Sequence, residues 1–573
     1  MWAVTSASRS KVRRAATNVA KHPAAPLLVL GALLLADALV LLATQRGMTF
    51  LVDEWLILSG RRQWTIEAFL DPFYEHLFIF PTAVFKILMS ATGIGPHVLY
   101  ALPMIALHLT SVVLIYVLAR RRIGPWFALA PAAAILFLGS SYDNNLLPIQ
   151  VSFLGSIAAG LGMLLALDSV ASRSVDVLAG VLLAVSLSSS SLGIIFAIAA
   201  VVELALQREL RRRGWLVLAP LVLYGLWYAV YGPRGLEQGG SLTENAKLTP
   251  EFMADAAAAA LAAIMGLGFD WGRPLLVLAV VLVAYRLVTR GAFSPRFTAL
   301  LVCVVSFWAL GGLARAHQEN PGASRYLYPA AVLVVLLVVE ALRFTRLDRR
   351  WAAFLLLFVT FASVGNANIL LGARDTHRAF SREVLAQFAA IELLGRENVP
   401  SELIAAPYLA PQITAQQYFE LTDALGSPVD VTRDLVEAGE RQRRDGDVVF
   451  VAAITALTVE AARSTTRARP PVVEAAGGQT SAEGPCVRFD PMRPRGRMIV
   501  AATRSLVVRA GQTGSVEVGL RRFHSDFRRV ARVRAGRSLA LPLSEDGIAT
   551  PWRLEVGAVD TVIVCTARLP RAG

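Results

Sequence analysis

The chain has 573 residues, of which 55% are hydrophobic and only 17% are charged. Its mean hydropathy of +0.54 exceeds that of ordinary soluble domains, so the composition indicates an integral membrane protein. The formal net charge of +14 would suit a nucleic-acid-binding protein, but the Lys and Arg residues cluster at the ends of apolar segments rather than along one stripe. We therefore interpret the charge as membrane topology and expect no nucleic-acid partner.

The apolar segments predict a polytopic α-helical membrane protein with about eleven transmembrane helices. A basic head precedes the first apolar run, so the N-terminus is predicted to be cytoplasmic. The odd number of spans then places the C-terminus outside the cell. The head contains Arg9, Lys11, Arg13, Arg14 and Lys21. The spans are predicted at 26–44, 97–119, 125–138, 148–167, two short spans within 175–210, 215–231, 274–288, 297–313, 326–342 and 351–371.

Three apolar segments are not predicted to be ordinary single spans. Segment 76–92 is short, and counting it as a span would place Arg120 to Arg122 outside, so it is predicted to be an interfacial or re-entrant helix. Segment 175–210 is interrupted by SLSSSSLG, which predicts a broken helix pair and a lined cavity. The Ala-rich helix at 250–267 is predicted to lie against the outer membrane surface.

The C-terminal part has a different composition. Residues 372–480 are predicted to form a mixed α/β segment, in which DVVFVAA at 447–453 resembles a strand. A loose stretch at 467–485 follows. Six runs of period-two alternation then predict a β-sandwich at 481–573. These runs are RMIVAAT, SLVVRA, SVEVGLR, SLALPL, WRLEV and TVIVCTA.

The three cysteines separate into two groups. Cys303 lies in an apolar run and is interpreted as a small core residue. Cys486 and Cys565 flank the predicted sandwich, and if this part of the chain is exported they could form a disulfide between its first and last strands. Two free buried thiols are the alternative.

Polar side chains are concentrated in the predicted outer loops. We expect them to converge on one outward-facing cavity, because polar groups at the edge of a membrane are usually paired or functional. The first outer loop supplies Asp53, Glu54 and His76, the second supplies Asp143, Asn144 and Asn145, and the loop before the tenth span supplies Arg315, His317 and Arg325.

Several short motifs resemble the membrane glycosyltransferases of the GT-C fold. The first outer loop begins with an acidic pair (LVDEW), and about twenty residues later a histidine opens a short apolar helix (YEHLFIFPTAVFKIL). A span ending in LARRRIG follows. The late segment NPGASRYLYPAAVLVVL is similar to the lipid-phosphate side of the same fold. The resemblance covers residues 25–371, so residues 1–371 are expected to form a GT-C-like domain.

The resemblance implies transfer of a sugar from a polyprenyl-phosphate donor to an acceptor on the outer face of the membrane. Asp53 is then the candidate general base and Glu54 its helper. The donor phosphate would be bound by His76, Arg315, His317, Arg325 and Tyr326. Asp143 and Asn144 would orient the acceptor or bind a divalent cation such as Mg²⁺, Mn²⁺ or Ca²⁺. The alternatives are a helix cap for Asp53, a plain turn for Asp143 and contact with lipid headgroups for the arginines.

The expected partners are a polyprenyl-phosphate sugar, a glycan or glycolipid acceptor and membrane lipid, in a bacterial plasma membrane where cell-envelope glycan is assembled. The Ala, Arg, Val and Gly richness favours a high-GC organism such as an actinobacterium, where decaprenyl-phosphate arabinose or mannose would be suitable donors. The sandwich could be a carbohydrate-binding module that uses Trp552, Phe523 and Phe527, or a structural lid. Two other functions stay open, a transporter or lipid flippase with its site at Ser186 to Ser191, and a non-catalytic envelope scaffold.

Overall fold

The computed structural model describes residues 22–567 except 236–240, 291–293, 319, 344, 346, 347, 461–468, 493, 494, 525, 545 and 547. The basic head, Arg9 to Lys21, lies outside the described residues. The α-helices are α1 Ala25–Thr44, α2 Asp53–Gly60, α3 Ile66–Leu70, α4 Ile79–Thr92, α5 His97–Ile123, α6 Leu129–Leu136, α7 Tyr142–Leu146, α8 Val151–Leu167, α9 Arg173–Ser189, α10 Gly193–Leu206, α11 Leu210–Arg213, α12 Trp215–Tyr231, α13 Leu242–Met265, α14 Gly272–Arg290, α15 Pro295–Arg315, α16 Ser324–Ala341, α17 Arg349–Leu394, α18 Ala415–Leu425 and α19 Glu440–Leu457.

The protein is a polytopic α-helical membrane protein with a C-terminal β-sandwich, as the sequence predicts. Among the described residues, nine helices are long and apolar enough to cross a membrane. These candidate spans are Ala25–Thr44, His97–Ile123, Pro148–Leu167, Trp215–Arg234, Leu242–Met265, Phe269–Thr289, Pro295–Arg315, Ser324–Ala341 and Arg349–Leu394. The shorter apolar helices Ile79–Thr92 and Gly193–Leu206 accompany them.

Two predicted segments differ from the structure. The third predicted span, 125–138, contains only the eight-residue α6, because the chain turns at Gly139, where a Cβ would lie 1.9 Å from the Asn366 carbonyl oxygen. The Ala-rich segment predicted to lie on the membrane surface is part of α13, which packs against α14, α15 and α16. Small alanine side chains allow this close helix packing, and α13 is itself a candidate span.

The broken helix pair is confirmed within segment 175–210. Helix α9 ends at Ser189, and α10 begins at Gly193 after a turn of three residues. Gly193 is required at this turn, because a Cβ there would lie 2.5 Å from the backbone nitrogen of Leu187. The side chains of Ser156 and Ser186 hydrogen-bond each other at 2.9 Å beneath the break, so the polar serines are satisfied inside the helix pair.

The chain divides into two compact units. The membrane unit comprises Met1–Arg46, Gln63–Leu88 and Val98–Thr376, and the C-terminal unit comprises Gly47–Arg62, Met89–His97 and His377–Gly573. Two pieces of the first predicted outer loop therefore belong to the C-terminal unit. In that unit Trp55 of α2 is fully buried against Phe388 and Tyr418, with ring centroids 4.9 and 6.1 Å away.

The prediction of a strand at 447–453 is wrong, since these residues lie in helix α19. In an apolar run as short as this one, hydrophobic periodicity cannot distinguish a buried strand from the buried face of a helix. The structure buries Phe450, Ala453 and Ile454 along one side of the helix, and α19 packs on the sandwich. Asp447 accepts hydrogen bonds from the backbone N–H groups of Arg522, Phe523 and His524 and so joins the helix to a turn of the sandwich.

The C-terminal sandwich consists of two antiparallel sheets. One has the strand order β1-β9-β6-β11-β4-β3 and the other β2-β5-β10-β7-β8. All six predicted strand runs are present. The strands are β1 Val459–Glu460, β2 Val472–Ala476, β3 Gly478–Glu483, β4 Cys486–Pro491, β5 Gly496–Ala502, β6 Leu506–Ala510, β7 Val516–Arg521, β8 Arg528–Val533, β9 Ser538–Leu541, β10 Trp552–Ala558 and β11 Val562–Thr566.

The described part of the predicted loose stretch is not loose, because β2 and β3 lie within it. Both strands are largely exposed edge strands, which explains why they lack a hydrophobic alternation. A disulfide joins Cys486 of β4 to Cys565 of β11, and these two residues are paired neighbours in the sheet. Cys303 is fully buried in the membrane unit.

Candidate functional site

The candidate site is a cavity of about 510 Å³ within the membrane unit. Its walls come from α10, α12, α13, α15 and α16, and they are mostly aliphatic and aromatic. Polar side chains line it as well, among them Glu75, His76, Arg315 and Tyr326 and the serines of the helix break, Ser190 and Ser191. An apolar cavity with a few convergent polar groups is the usual form of a small-molecule or cofactor site.

The polar residues form a connected group. The guanidinium of Arg315 donates to Oε1 of Glu75, and its Nη1 donates to the Tyr326 hydroxyl at 3.0 Å. Nε2 of His76 lies 3.6 Å from the same Glu75 oxygen. The side chains of His76 and Arg315 are each 14% exposed, and that of Glu75 is 38% exposed. A guanidinium is therefore held between a carboxylate and a phenol beside an apolar cavity.

A tight turn positions Glu75 and His76. The backbone groups of Phe73 and His76 exchange two hydrogen bonds of 3.0 Å, and the Phe73 and Phe78 rings stack at 4.6 Å. Tyr74 adopts a φ of 54°, a conformation that non-glycine residues rarely take. Such local strain persists only where surrounding contacts enforce it, and here it turns two consecutive side chains toward the cavity.

The pKa values of Glu75 and His76 are shifted downward. Burial lowers the pKa of His76 to about 4, with the nearby Arg315 charge adding to this and the Glu75 carboxylate opposing it. Burial raises the pKa of Glu75, but the neighbouring His76 and Arg315 groups lower it by more, so it lies below its ordinary value. At neutral pH the imidazole is therefore neutral and the carboxylate is charged.

Several polar atoms of the cavity wall have no hydrogen bond in the described part of the chain. They are Oε2 of Glu75, Nδ1 of His76 and Nε1 of Trp308, and all three are buried. An unsatisfied buried polar atom costs about 1–3 kcal/mol, so such atoms are rare unless a ligand or water completes them. The cavity thus offers both donors and an acceptor to a polar ligand.

The sequence predicts three members of this group and misses one. His76, Arg315 and Tyr326 are predicted to bind the donor, and the structure brings all three to the cavity, while their role in donor binding stays a prediction. The sequence does not distinguish Glu75, because an acidic residue in a loop is common and the motif YEHLFIF is recognised by its histidine. The available signal was a second charged group next to a loop histidine. The serine break was predicted to line a cavity, and Ser190 and Ser191 do so.

Other predicted residues lie elsewhere in the membrane unit. The guanidinium of Arg325 lies over the Tyr326 ring, 5.1 Å from its centroid, and the backbone N–H of His317 donates to Asn245. The backbone N–H of Asp143 donates to the Ser324 hydroxyl. Asn144 is fully buried and hydrogen-bonds Gln150. In the structure described, these residues are not among those that line the cavity.

Asp53 and Glu54 belong to the C-terminal unit, at the start of α2. Asp53 is half-buried. Glu54 is fully buried, and its Oε2 accepts a hydrogen bond from the Leu51 backbone N–H at 2.9 Å, as a carboxylate in the first turn of a helix often does. Val52, just before them, has a φ of 44°, so the backbone leading to Asp53 is strained.

Two further predictions concern the sandwich and a metal ion. Trp552 cannot serve as an aromatic platform for carbohydrate, because it is 1% exposed and packs against Phe450 in the core. Phe523 also contacts Phe450, while Arg521 lies over the Phe527 ring. Among the described residues, no group of three or more His, Cys, Asp or Glu side chains is arranged to hold a metal ion. A divalent cation at Asp143 thus stays a prediction.

No protein-family model and no curated protein sequence matches the chain significantly. In fold, the chain is similar to solved GT-C glycosyltransferases. ArnT from Cupriavidus metallidurans bound to undecaprenyl phosphate is 14% identical, with a TM-score of 0.47 over 74% of this chain and 88% of that one. Archaeal oligosaccharyltransferase AglB from Archaeoglobus fulgidus, in complex with an inhibitory peptide and a dolichol-phosphate, is 13% identical, with a TM-score of 0.38 over 63% of this chain and 58% of that one. Arabinosyltransferase EmbB from Mycobacterium smegmatis is 12% identical, with a TM-score of 0.35 over 94% of this chain and 64% of that one.

Proposed function

We propose that this protein is a membrane glycosyltransferase that takes its sugar from a polyprenyl-phosphate donor and transfers it to a cell-envelope acceptor. The observation that supports this most is the cavity of the membrane unit, where Arg315 stands among apolar walls beside three unsatisfied polar atoms. A polyprenyl-phosphate sugar has the matching parts, which are a long apolar chain, an anionic phosphate and sugar hydroxyls.

In the proposed reaction, an acceptor hydroxyl attacks the anomeric carbon of the donor sugar. The new bond forms between the acceptor oxygen and that carbon, the bond from the carbon to the phosphate oxygen breaks, and the acceptor proton passes to a base. Negative charge grows on the leaving phosphate, and the guanidinium of Arg315 stabilises it. Neutral His76 has no charge to compete with Arg315, and its free Nδ1 can hydrogen-bond a sugar hydroxyl.

The general base in this proposal is Asp53. The motif LVDEW and the position of Asp53 in the first loop support the assignment, and a half-buried carboxylate retains the access that a base needs. Glu54 fits a supporting role, because its buried carboxylate fixes the first turn of the helix that carries Asp53. A positioned base of this kind contributes about a hundredfold or more to the rate.

The donor site is tested by binding of a polyprenyl phosphate to purified protein in detergent. Arg315→Met is expected to weaken binding at least tenfold, since it removes a charge-assisted hydrogen bond in an apolar site. Arg273→Met is the matched control, because Arg273 is an exposed arginine, paired with Asp255, that does not line the cavity. Equal affinities of the two variants would exclude the cavity as the phosphate site.

The reaction is tested by transfer from labelled polyprenyl-phosphate sugars to a cell-envelope acceptor extract. Wild type is expected to transfer sugar, and Asp53→Asn, which keeps the size of the side chain, is expected to lose at least about a hundredfold. Full activity of Asp53→Asn would remove Asp53 as the base and leave the enzyme class intact.

A lipid flippase is the second candidate, since Ser190 and Ser191 of the broken helix pair line the same cavity. The two functions differ in outcome. Reconstituted flippase would move a labelled polyprenyl-phosphate sugar across vesicles without forming a product, whereas the glycosyltransferase would form the glycosylated acceptor in detergent, where no second leaflet exists.

A further inference from the structure

A second, larger cavity lies in the membrane unit, apart from the candidate site. It is a groove of about 870 Å³ between α1, α6 and the first half of α17, and none of its lining residues also lines the first cavity. Most of these residues are Val, Leu, Ala and Phe. The groove is therefore suited to a hydrocarbon chain.

The length of the groove supports the same conclusion. Along α17 its lining extends from Ala352 to Leu370, a distance of about 27 Å at 1.5 Å per residue. The hydrocarbon core of a bilayer is about 30 Å thick. The groove thus follows a candidate spanning helix for nearly the thickness of the membrane core, and a lipid chain can lie in it while extended.

Three buried polar side chains, Asp37, Asn145 and Asn366, interrupt the apolar lining, and the amide of Asn366 is fully hydrogen-bonded to the protein. Asp37 is 4% exposed and Asn145 is 3% exposed, and both line the groove. In the described part of the chain, Oδ2 of Asp37 and Oδ1 of Asn145 accept no hydrogen bond. Oε1 of Gln45 is likewise buried and unsatisfied, and its amide nitrogen donates to the Asn145 carbonyl at 3.2 Å. Three unsatisfied acceptors thus lie at the groove or next to one of its lining residues.

The protein supplies only part of what these acceptors require. Nε2 of His108 approaches Oδ2 of Asp37 at 3.4 Å, and Nδ1 of His108 hydrogen-bonds the Tyr328 hydroxyl at 2.9 Å. Nε2 of His108 also lies 3.3 Å from the Leu136 carbonyl oxygen, so Asp37 has at most a share of this donor. This donor does not reach the other two acceptors, which stay unsatisfied. A buried acceptor without a donor costs about 1–3 kcal/mol, so a ligand that donates hydrogen bonds is favoured.

The charge of the lining selects among lipids. Among the described residues that line the groove, none is Lys, Arg or His, and Asp37 is the acidic residue. In this groove a phosphate headgroup would contact a carboxylate and no cation. In the first cavity it would contact the guanidinium of Arg315. An uncharged hydroxyl meets unsatisfied acceptors. It can also enter more deeply than an anionic headgroup, because burying a hydroxyl costs less than burying a charge.

We infer that the groove between α1, α6 and α17 binds a neutral lipid with a free hydroxyl, whose hydrocarbon chain lies along α17 and whose hydroxyl donates to Asp37 or Asn145. This inference does not depend on the proposed function, because it concerns a different cavity and an uncharged ligand. If the proposed function is correct, a lipid-linked acceptor with a free hydroxyl has the required chemistry.

Binding of dioleoylglycerol to the full-length protein tests the inference, with bound lipid counted by native mass spectrometry. One molecule of dioleoylglycerol is expected to bind. Its 3-acetyl derivative, which has the same chains but no hydroxyl, and dioleoyl phosphatidic acid are each expected to bind at least about tenfold more weakly. Equal binding of dioleoylglycerol and the acetyl derivative would contradict the inference, since the hydroxyl would then not be recognised.

Two variants place the lipid in the groove. Ala367→Trp fills the groove from a partly open wall of α17 and should abolish binding, whereas Ala353→Trp, on the same helix but not among the lining residues, should leave it unchanged. Asp37→Leu should reduce the preference for the hydroxyl over the acetyl group. Normal binding by Ala367→Trp would show that the lipid sits elsewhere.

Polyprenyl phosphate binding, which the proposed function assigns to Arg315, is measured in the same variants. A variant that loses dioleoylglycerol but keeps polyprenyl phosphate has lost the groove alone, so the two proposals are tested separately.

Discussion

The ion pair between Glu75 and Arg315 should control how tightly the first cavity binds an anion. The carboxylate holds the guanidinium in place, but it would also repel an incoming phosphate. We expect Glu75→Gln to bind polyprenyl phosphate several-fold more tightly than wild type, because the variant keeps the hydrogen-bonding shape and removes the competing charge. Titration calorimetry in detergent measures this. Weaker binding by the variant would mean that Glu75 serves chiefly to orient Arg315.

His76 should make the stability of the protein depend on pH. Its pKa of about 4 lies below the ordinary 6.5, so between these values the unfolded chain binds more protons than the folded protein. The free energy of unfolding should therefore rise as pH increases from 4 to 6.5, by up to about 3 kcal/mol from this residue. His76→Gln is expected to reduce that slope in denaturation curves recorded at several pH values. Substitution of the exposed His22 should leave the slope unchanged, and an identical slope in His76→Gln would contradict the assignment.

At the level of single residues, the sequence predicts the types of side chain in the site. It is less informative about which of these side chains lie close together in the fold. His76 and Arg315 are predicted from their loop positions and Tyr326 from the resemblance to a known fold, and the structure brings the three together at the cavity. Arg325, next to Tyr326 in the chain, does not line the cavity, because neighbours on a helix point in directions about 100° apart. The sequence does not single out Asp37 in its apolar run, since one carboxylate barely changes the mean hydropathy of a twenty-residue helix.

At the level of helices, buried ion pairs join four helices of the membrane unit and the residue that follows α8. Arg122 of α5 pairs with Asp168 and Glu340, and Arg296 of α15 pairs with Glu203 of α10 at 2.9 Å. The positive-inside rule places Arg122 at the cytoplasmic end of its predicted span. The sequence does not show that Arg122 and Arg296 have acidic partners, because those partners lie 46 to 218 residues away in the chain.

The pair of Arg296 and Glu203 offers a stability test. Both side chains are at most 6% exposed, so Arg296→Met leaves an uncompensated buried carboxylate and should cost about 3–5 kcal/mol. The double variant with Glu203→Gln should recover part of this loss, since no buried charge then remains. Arg212→Met, which affects a 70% exposed arginine, should change stability by no more than about 0.5 kcal/mol. Thermal unfolding in detergent reports all three, and an additive double variant would argue against coupling.

The same scale shows where period-based prediction succeeds. The strands β5, β7 and β10 alternate buried and outward positions, and their period of two was legible in the sequence. Edge strands β2 and β3 have no buried face to reveal them. Helix α19 was mistaken for a strand because its buried face falls on a compact apolar run, with the polar residues RQRRDG preceding it.

At the level of the whole molecule, the division of the first loop between two units could not be predicted. Residues Gly47–Arg62 belong with a part of the chain more than three hundred residues away. Within the C-terminal unit, the Val52 backbone N–H donates to the Leu409 carbonyl at 2.7 Å, and that of Thr49 donates to the Ser381 hydroxyl. Local patterns carry no information on such contacts, yet they fix the backbone on which Asp53 stands.

The disulfide between Cys486 and Cys565 should stabilise the C-terminal unit and not the membrane unit. It joins paired strands that are 79 residues apart in the chain, so it removes much conformational freedom from the unfolded state. Loss of such a bridge typically costs about 2–5 kcal/mol. We expect the Cys486→Ser/Cys565→Ser variant to exchange the amide hydrogens of β4, β6 and β11 faster, while those of α15 and α16 keep their rates.

Cys303 provides the control for this prediction, because it is a buried thiol within α15 of the membrane unit. In the Cys303→Ala variant, dithiothreitol should still accelerate exchange in β4 and β11, since the bridge is the group being reduced. Unchanged exchange in the sandwich after reduction would mean that its two packed sheets hold β4 and β11 without the bridge. Faster exchange in both units would mean that their unfolding is coupled, and the stability of the sandwich would then contribute to the stability of the helices that form both cavities.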